Sequence, residues 1–331
     1  MPILLALAAA AASPQPGALK TFKDWVVGCD NGRACQAVSL ETEDGGVSGL
    51  SVVITRGGEA MARPNISLEL YEGTAEALAV DGKRVPMRVT ATGASAEVDR
   101  RETIALIAAI RSGAKLTALD ARAKATGDAS LSGLSAALLY MDEQQRRIGT
   151  STALIRGGPK PSTAVPPTPA VPVIVSPPIS SAPPARLSAA EKAKTLAPLE
   201  CEGSSEVSDT PQIARLDGRT TLALVPWPCG NGAYNYYANA LLIDNAGRAR
   251  PAPFDAAPGM GEDIDNSAVN ADWDPKTRRL SAFAKGRGLA DCGTVSEFAW
   301  DGRSFRLVFQ SVMGECRGSR DYIPVWRAAV R

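Results

Sequence analysis

The stretch Phe22-Lys23-Asp24-Trp25-Val26-Val27-Gly28-Cys29-Asp30-Asn31-Gly32-Arg33-Ala34-Cys35 decides how the chain begins to fold. Trp25 to Cys29 reads as a β-strand with alternating apolar positions. Cys29 and Cys35 flank the turn Asp30-Asn31-Gly32-Arg33-Ala34, close enough to pair within a hairpin. Val26-Val27-Gly28-Cys29 also has the outline of a lipid-attachment box. Lys20, Lys23 and Asp24 precede it where lipoprotein signals are apolar, so the strand reading stands.

Upstream, Ile3 to Ala12 is an unbroken run of ten apolar residues ending in Ala10-Ala11-Ala12 before Ser13, Pro14, Gln15 and Pro16. An apolar segment with a small-residue end is the pattern of a secretory signal peptide over residues 1–12, although no Lys or Arg precedes it. A bilayer span needs about 20 apolar residues, so no transmembrane segment is expected. Export agrees with six cysteines, an even number, none in a Cys-x-x-Cys pair. Cys29 pairs with Cys35 in this reading. Cys201, Cys229, Cys292 and Cys316 allow three connectivities, of which the sequential Cys201–Cys229 and Cys292–Cys316 is favoured. Such bridges are worth about 2 to 4 kcal/mol each.

The 331 residues point to two domains at roughly 100 to 200 residues per domain. The first half, 19–156, reads as α+β, an antiparallel sheet with two helices. Strand-like runs are Val26–Cys29, Ala34–Leu40, Leu50–Thr55, Ile66–Tyr71, Val85–Val89, Leu116–Leu119 and Thr152–Ile155. Asp99 and Glu102 have capping-box spacing before a helix Thr103–Ile110 that stops at Gly113. A second helix spans about Ser132–Arg147, with Leu134, Leu138, Leu139 and Met141 inward and Asp142, Glu143, Gln144, Arg146 and Arg147 outward. A proline-rich linker, 157–186, holds ten of the 24 prolines and reads as a semi-rigid polyproline spacer. The remainder, 187–331, holds 13 of the 17 aromatics and reads as mostly β, a disulfide-stabilised sandwich or open barrel of hairpins. Its hairpin signals are strands ending in Asp244, Asp274 and Asp301, each followed by turn residues.

The charges balance, 36 Lys and Arg against 35 Asp and Glu, so nothing calls for nucleic acid or an anionic membrane. There is no histidine, which excludes Ser-His-Asp and Cys-His nucleophile pairs and His-containing zinc sites.

The blocks Phe22–Asn31 with Cys35, Leu134–Leu138 with Met141–Gln144, Gly232–Asn235, Lys285–Gly293, Trp300–Gly302 and Cys316 resemble the proteobacterial domain-of-unknown-function 1176 family. The first half is also distantly similar to invasion-associated locus B proteins, secreted bacterial proteins that associate with host cells. The resemblance implies a bacterial exported protein and supplies no catalytic residues.

The candidate binding residues lie in the loop Lys285-Gly286-Arg287-Gly288-Leu289-Ala290-Asp291-Cys292-Gly293, joined by Tyr234 and Asn235. Glycines free the backbone to turn N–H groups inward, and Lys285 and Arg287 have the charge to hold a carboxylate or phosphate. The alternative is a tight strand exit pinned by a disulfide. The acidic stretch Glu262–Asn266 with Asn270, Asp272 and Asp274 has oxygens suited to calcium but reads better as a solvated loop, so no metal or cofactor is expected. The expectation is a periplasmic protein of the bacterial envelope that binds an envelope protein or cell-wall component. A carboxylate-dependent hydrolase, with Asp291 and Glu297 as its acids, is the alternative. The exported chain is expected to weigh less than its reduced form by the hydrogens of six thiols, and reduction is expected to lower its thermal midpoint; an intact mass with all six thiols free would remove the premise.

Overall fold

The computed structural model describes residues 13–45, 49–196, 210–227, 231–232, 234–261 and 265–331. The expected signal peptide 1–12, Cys201 and Cys229 lie outside the described residues. The first half contains β1 (Lys20–Phe22), β2 (Trp25–Cys29), β3 (Cys35–Ser39), β4 (Leu50–Arg56), β5 (Asn65–Leu70), β6 (Ala77–Val80), β7 (Lys83–Val85), β8 (Val89–Thr92), β9 (Ser95–Val98), α1 (Thr103–Ile110), β10 (Lys115–Leu119), β11 (Ala125–Ser130) and α2 (Leu134–Gln144). After these come β12 (Val173–Ile174), α3 (Ala189–Leu196), β13 (Gln212–Arg215), β14 (Thr220–Pro226), β15 (Tyr237–Asp244), β16 (Ala249–Pro251), β17 (Ser267–Val269), β18 (Asp272–Asp274), β19 (Arg279–Lys285), β20 (Gly293–Trp300), β21 (Phe305–Met313), β22 (Ile323–Arg327) and β23 (Ala329–Val330).

The first half forms two antiparallel sheets rather than one, a seven-stranded β1-β2-β3-β4-β5-β9-β8 and a four-stranded β11-β10-β6-β7. Trp25, Ile54 and Leu68 from the larger sheet, Leu78 and Leu116 from the smaller, and Leu106, Leu138 and Met141 from the helices share one core. The helices fall where the apolar spacing places them. The capping box does not form: Glu102 instead accepts from the backbone N–H and guanidinium of Arg88.

The second half stacks the antiparallel sheet β13-β14-β15-β16, with β17 against β15, on a second sheet β18-β19-β20-β21-β22. Leu222, Leu224 and Leu242 of one meet Trp273, Phe298, Trp300 and Phe305 of the other, the filling of a sandwich. One local device recurs through the chain. At Asp30, Asp120, Asp217, Asp244, Asp274 and Asp301 a carboxylate oxygen accepts backbone N–H groups of residues just ahead in the turn. A short acceptor on the residue entering a turn replaces the ladder bonds the turn gives up, which is why strands ending in Asp read correctly as hairpins.

The proline-rich segment is not a free spacer, and that expectation is corrected. β12 pairs in parallel with β23, and Ile174 packs with Ala299 and Val308 on the outer face of the second sandwich sheet. Ala185 and Leu187 cover Val225 and Ile243 on the outer face of the first. Proline favours an extended chain with few donors, and such a chain lies along a sheet surface as readily as in water.

The halves are also packed together. Val26, Val38, Leu40 and Val53 of the seven-stranded sheet share a core with Cys292, Met313, Ile323 and Val325. All five residues of β2 are therefore buried, and the alternation expected of it is hidden because both faces are covered. Polar bolts run across the seam: Arg317 pairs with Asp24 at 2.6 Å and bonds the Glu41 carbonyl, and Arg327 pairs with Asp30 at 2.6 Å. Gly17 threads between the halves, its N–H donating to Val325 while a Cβ there would sit 2.0 Å from the Cys29 carbonyl oxygen.

Two further expectations fail for one reason. Asp142 and Arg147 are fully buried rather than outward, and Thr152–Ile155 is a turn rather than a strand. Asp142 accepts Arg56 at 2.6 Å on one oxygen and the N–H groups of Leu154 and Ile155 on the other. Gln145 accepts from Arg56 and Arg147 and donates to the carbonyls of Arg33, Arg56 and Gly57. Burial, together with the charge of Arg56, brings Arg147 down to about 10, so it remains a cation at neutral pH. A buried charge whose partner is removed is costly. Asp142→Ala is expected to lose about 3 to 5 kcal/mol, read as a lower urea midpoint; a loss below about 1 kcal/mol would show that water reaches Arg56.

Candidate functional site

The loop residues singled out from the sequence come together with Tyr234 and Asn235, some 50 residues earlier. Buried Asn235 ties the two segments. Its amide N–H donates to the Lys285 carbonyl at 2.8 Å, and its oxygen accepts the Lys285 N–H at 3.0 Å and the Asn270 amide at 3.1 Å. Asn270 in turn donates to the Phe283 carbonyl. The disulfide Cys292–Cys316 pins the far side of the loop. The first-half disulfide Cys29–Cys35 closes the β2–β3 hairpin, also as read, and no free cysteine is found among the described residues.

The charges of this loop are already used. Arg287 makes a two-pronged contact with Asp291, Nε to Oδ1 at 2.7 Å and a terminal nitrogen to Oδ2 at 2.5 Å. Asp291 also accepts the Gly318 N–H at 2.9 Å. Arg287 holds the Asp291 carboxyl below the ordinary carboxylate range. Lys285 donates to the Tyr234 carbonyl at 3.1 Å and lies 5.9 Å from that ring's centre. The Gly286 N–H donates to the Cys292 carbonyl, so it is not turned toward a ligand. A Cβ on Gly286 would fall 2.7 Å from the Cys292 sulfur, and Gly293 has φ +140°, so these glycines serve the close approach of the chain to itself. Gly288 faces the Tyr234 ring. Tyr322 donates to the Ala290 carbonyl, and burial next to Asp291 pushes its hydroxyl up to about 12.

Beside the paired but exposed Arg287 guanidinium, the surface presents large apolar groups. Tyr234 and Leu289 are 66% and 71% exposed, with Tyr236 and Met260 half exposed beside Asn235 and Asn270. Tyr234 is held at φ +61°, a left-handed conformation that costs a residue with a side chain about 1 to 3 kcal/mol. Leu289 and Met260 were not singled out from the sequence. The signal for Leu289 was a large apolar residue inside a glycine-rich loop; Met260 had none.

Family membership follows from the whole span rather than from this loop. A model of a protein family of unknown function, DUF1176, matches residues 19–329. The chain belongs to the DUF1176 family. It is similar to the uncharacterized protein YpfG of Escherichia coli (strain K12), 31% identical over 325 residues that cover 90% of this chain and 89% of that one. No solved structure matches.

The other candidate groups are placed apart or spent. Glu297 lies on β20 opposite Ser281 and Phe309. Of the acidic stretch, residues 262–264 lie outside the described residues; Asp265 accepts the Ser267 N–H, Asp272 accepts Gln212, and Asp274 caps its own turn. Among the described residues no group of three or more His, Cys, Asp or Glu is placed to hold a metal ion, and no helix is long and apolar enough to cross a membrane.

Since the Asp291 carboxyl titrates below its ordinary value of 3.8 in the folded chain, the stability it contributes is present above that value and lost as pH falls through the folded-state value. The thermal midpoint of Asp291→Asn is expected to lie below wild type at pH 7, with the gap closing below about pH 3.8. A gap that persists in acid would assign the loss to packing instead.

Proposed function

We propose that this chain is an exported, periplasmic protein of the bacterial envelope that acts by binding, and that it engages an envelope protein or cell-wall component through the crown formed by Tyr234, Tyr236, Met260 and Leu289. Exposed Tyr234 in a left-handed conformation carries the reading. Among the described residues the ring meets Gly288 and the Lys285 ammonium, and it is left largely exposed. The Asn235 and Asn270 bonds and the Cys292–Cys316 bridge hold it there regardless. A rigid frame spends little entropy on binding, and aromatic side chains with few rotatable bonds suit such a surface. The disulfides support an oxidising compartment. Association with host cells, implied by the distant likeness of the first half to invasion-associated locus B proteins, is a variant of the same reading.

The test is capture from an envelope extract with the oxidised full chain, wild type against a Tyr234→Ser, Tyr236→Ser, Leu289→Ser triple variant. A saturable partner identified by mass spectrometry is expected on wild type and absent from the variant at equal thermal midpoint. The same partner on both would move the binding surface elsewhere.

A further inference from the structure

A cleft of about 340 Å³ opens between the halves, where the seam that buries Val26, Val38 and Val53 runs out. The register explains the change. Val26, Val38 and Val53 are cross-strand partners in β2, β3 and β4. Two residues along, on the same face, Gln36 of β3, Thr55 of β4 and Asn65 of β5 form the next row, and all three line the cleft. One sheet face thus turns from aliphatic to polar, with Gln36 still donating to the Asp321 and Tyr322 carbonyls of the second half. Phe309 and Pro324 of the second half form the apolar wall opposite.

The charge around this cleft is one-sided. Arg56, Arg63, Arg100 and Arg327 line it against a single carboxylate, Asp30. Arg56 is spent on Asp142 and Gln145. Arg327 is spent on one oxygen of Asp30, whose other oxygen caps the hairpin turn. Arg63 and Arg100 are exposed and make no ion pair or side-chain hydrogen bond among the described residues, and neither do Thr55 and Asn65. Two guanidiniums, a carboxamide and a hydroxyl therefore line an opening in which no carboxylate of the described residues is free. Guanidinium geometry matches carboxylate and phosphate oxygens, and the apolar wall asks for a hydrocarbon body.

We propose that this cleft is a binding site for an organic anion, a carboxylate or phosphate monoester on an apolar body, with its head group between Arg63 and Arg100 and its body against Phe309 and Pro324. The site is separate from the aromatic crown and stands without it.

The experiment titrates the oxidised full chain with octanoate and phenyl phosphate, with acetate and inorganic phosphate as heads lacking a body, and with octyl glucoside as a body lacking charge. Calorimetry reads affinity, and amide shifts of Gln36, Thr55 and Asn65 read location. Saturable binding of octanoate or phenyl phosphate is expected, weakened at least about tenfold in Arg63→Gln/Arg100→Gln at unchanged thermal midpoint, the loss of two charge-assisted contacts. The better of the two probes names the head group, and a charge-preserving Arg63→Lys/Arg100→Lys variant is expected to retain part of the affinity. Failure of both probes to saturate, equal binding by the glutamine variant, or equal binding by octyl glucoside or by inorganic phosphate would overturn the proposal.

Discussion

The hairpin β2–β3 is covered on both faces, and among its strand residues Gln36 alone is part-exposed. Trp25, Val27, Cys29 and Ala37 point into the core under α2, while Val26 and Val38 point into the core shared with Ile323 and Val325 of β22. Antiparallel sheets commonly keep one face wet. Here the second half supplies the missing cover, and each aliphatic side chain it buries is worth about 1.5 to 3 kcal/mol. The first-half sheet is thus complete only with strands that arrive almost 300 residues later in the chain.

That doubly covered hairpin also sets where the candidate sites lie. Cys292 and Met313 belong to the same shared core, so the loop Lys285–Gly293 leaves the sandwich directly from the seam. Asp291 reaches across to the Gly318 N–H, and Arg317 next to it bonds Asp24 and the Glu41 carbonyl of the first half. The arginine-lined cleft is the same seam at the point where apolar contact ends. The cleft is a product of how the two halves meet and belongs to neither alone, whereas the loop and its crown are built from second-half residues that the seam anchors.

Much of the local structure was legible. Asp followed by turn residues marked hairpins because a carboxylate satisfies turn amides from its own side chain, a rule needing no distant partner. Thr103–Ile110 and the body of α2 were legible from apolar spacing, and Cys29–Cys35 from the turn between them. The gathering of Tyr234, Asn235 and Lys285–Gly293 was legible only as a resemblance, and the role first given to its charges was not. Arg287 and Lys285 look free in a sequence, because their partners, Asp291 and the Tyr234 carbonyl, are settled by folding. Asp142 and Arg147 look like a solvated helix end for the same reason. Polarity reports a need for hydrogen bonds without saying whether water or Arg56 and Gln145 will meet it.

By itself the sequence determined the elements whose partners are near in the chain: hairpin turns, two helices, one short disulfide loop, and the mostly β character of the region after residue 187. Tertiary structure decided which faces are dry. It laid the proline-rich segment along both outer sheet faces, buried the Asp142 network, spent the Arg287 and Asp291 charges on each other, and left Arg63 and Arg100 without an ion pair among the described residues. The physical reason is that burial and charge pairing are properties of surfaces brought together. A residue's type states what such a surface would require, and only the packing of one half on the other supplies it.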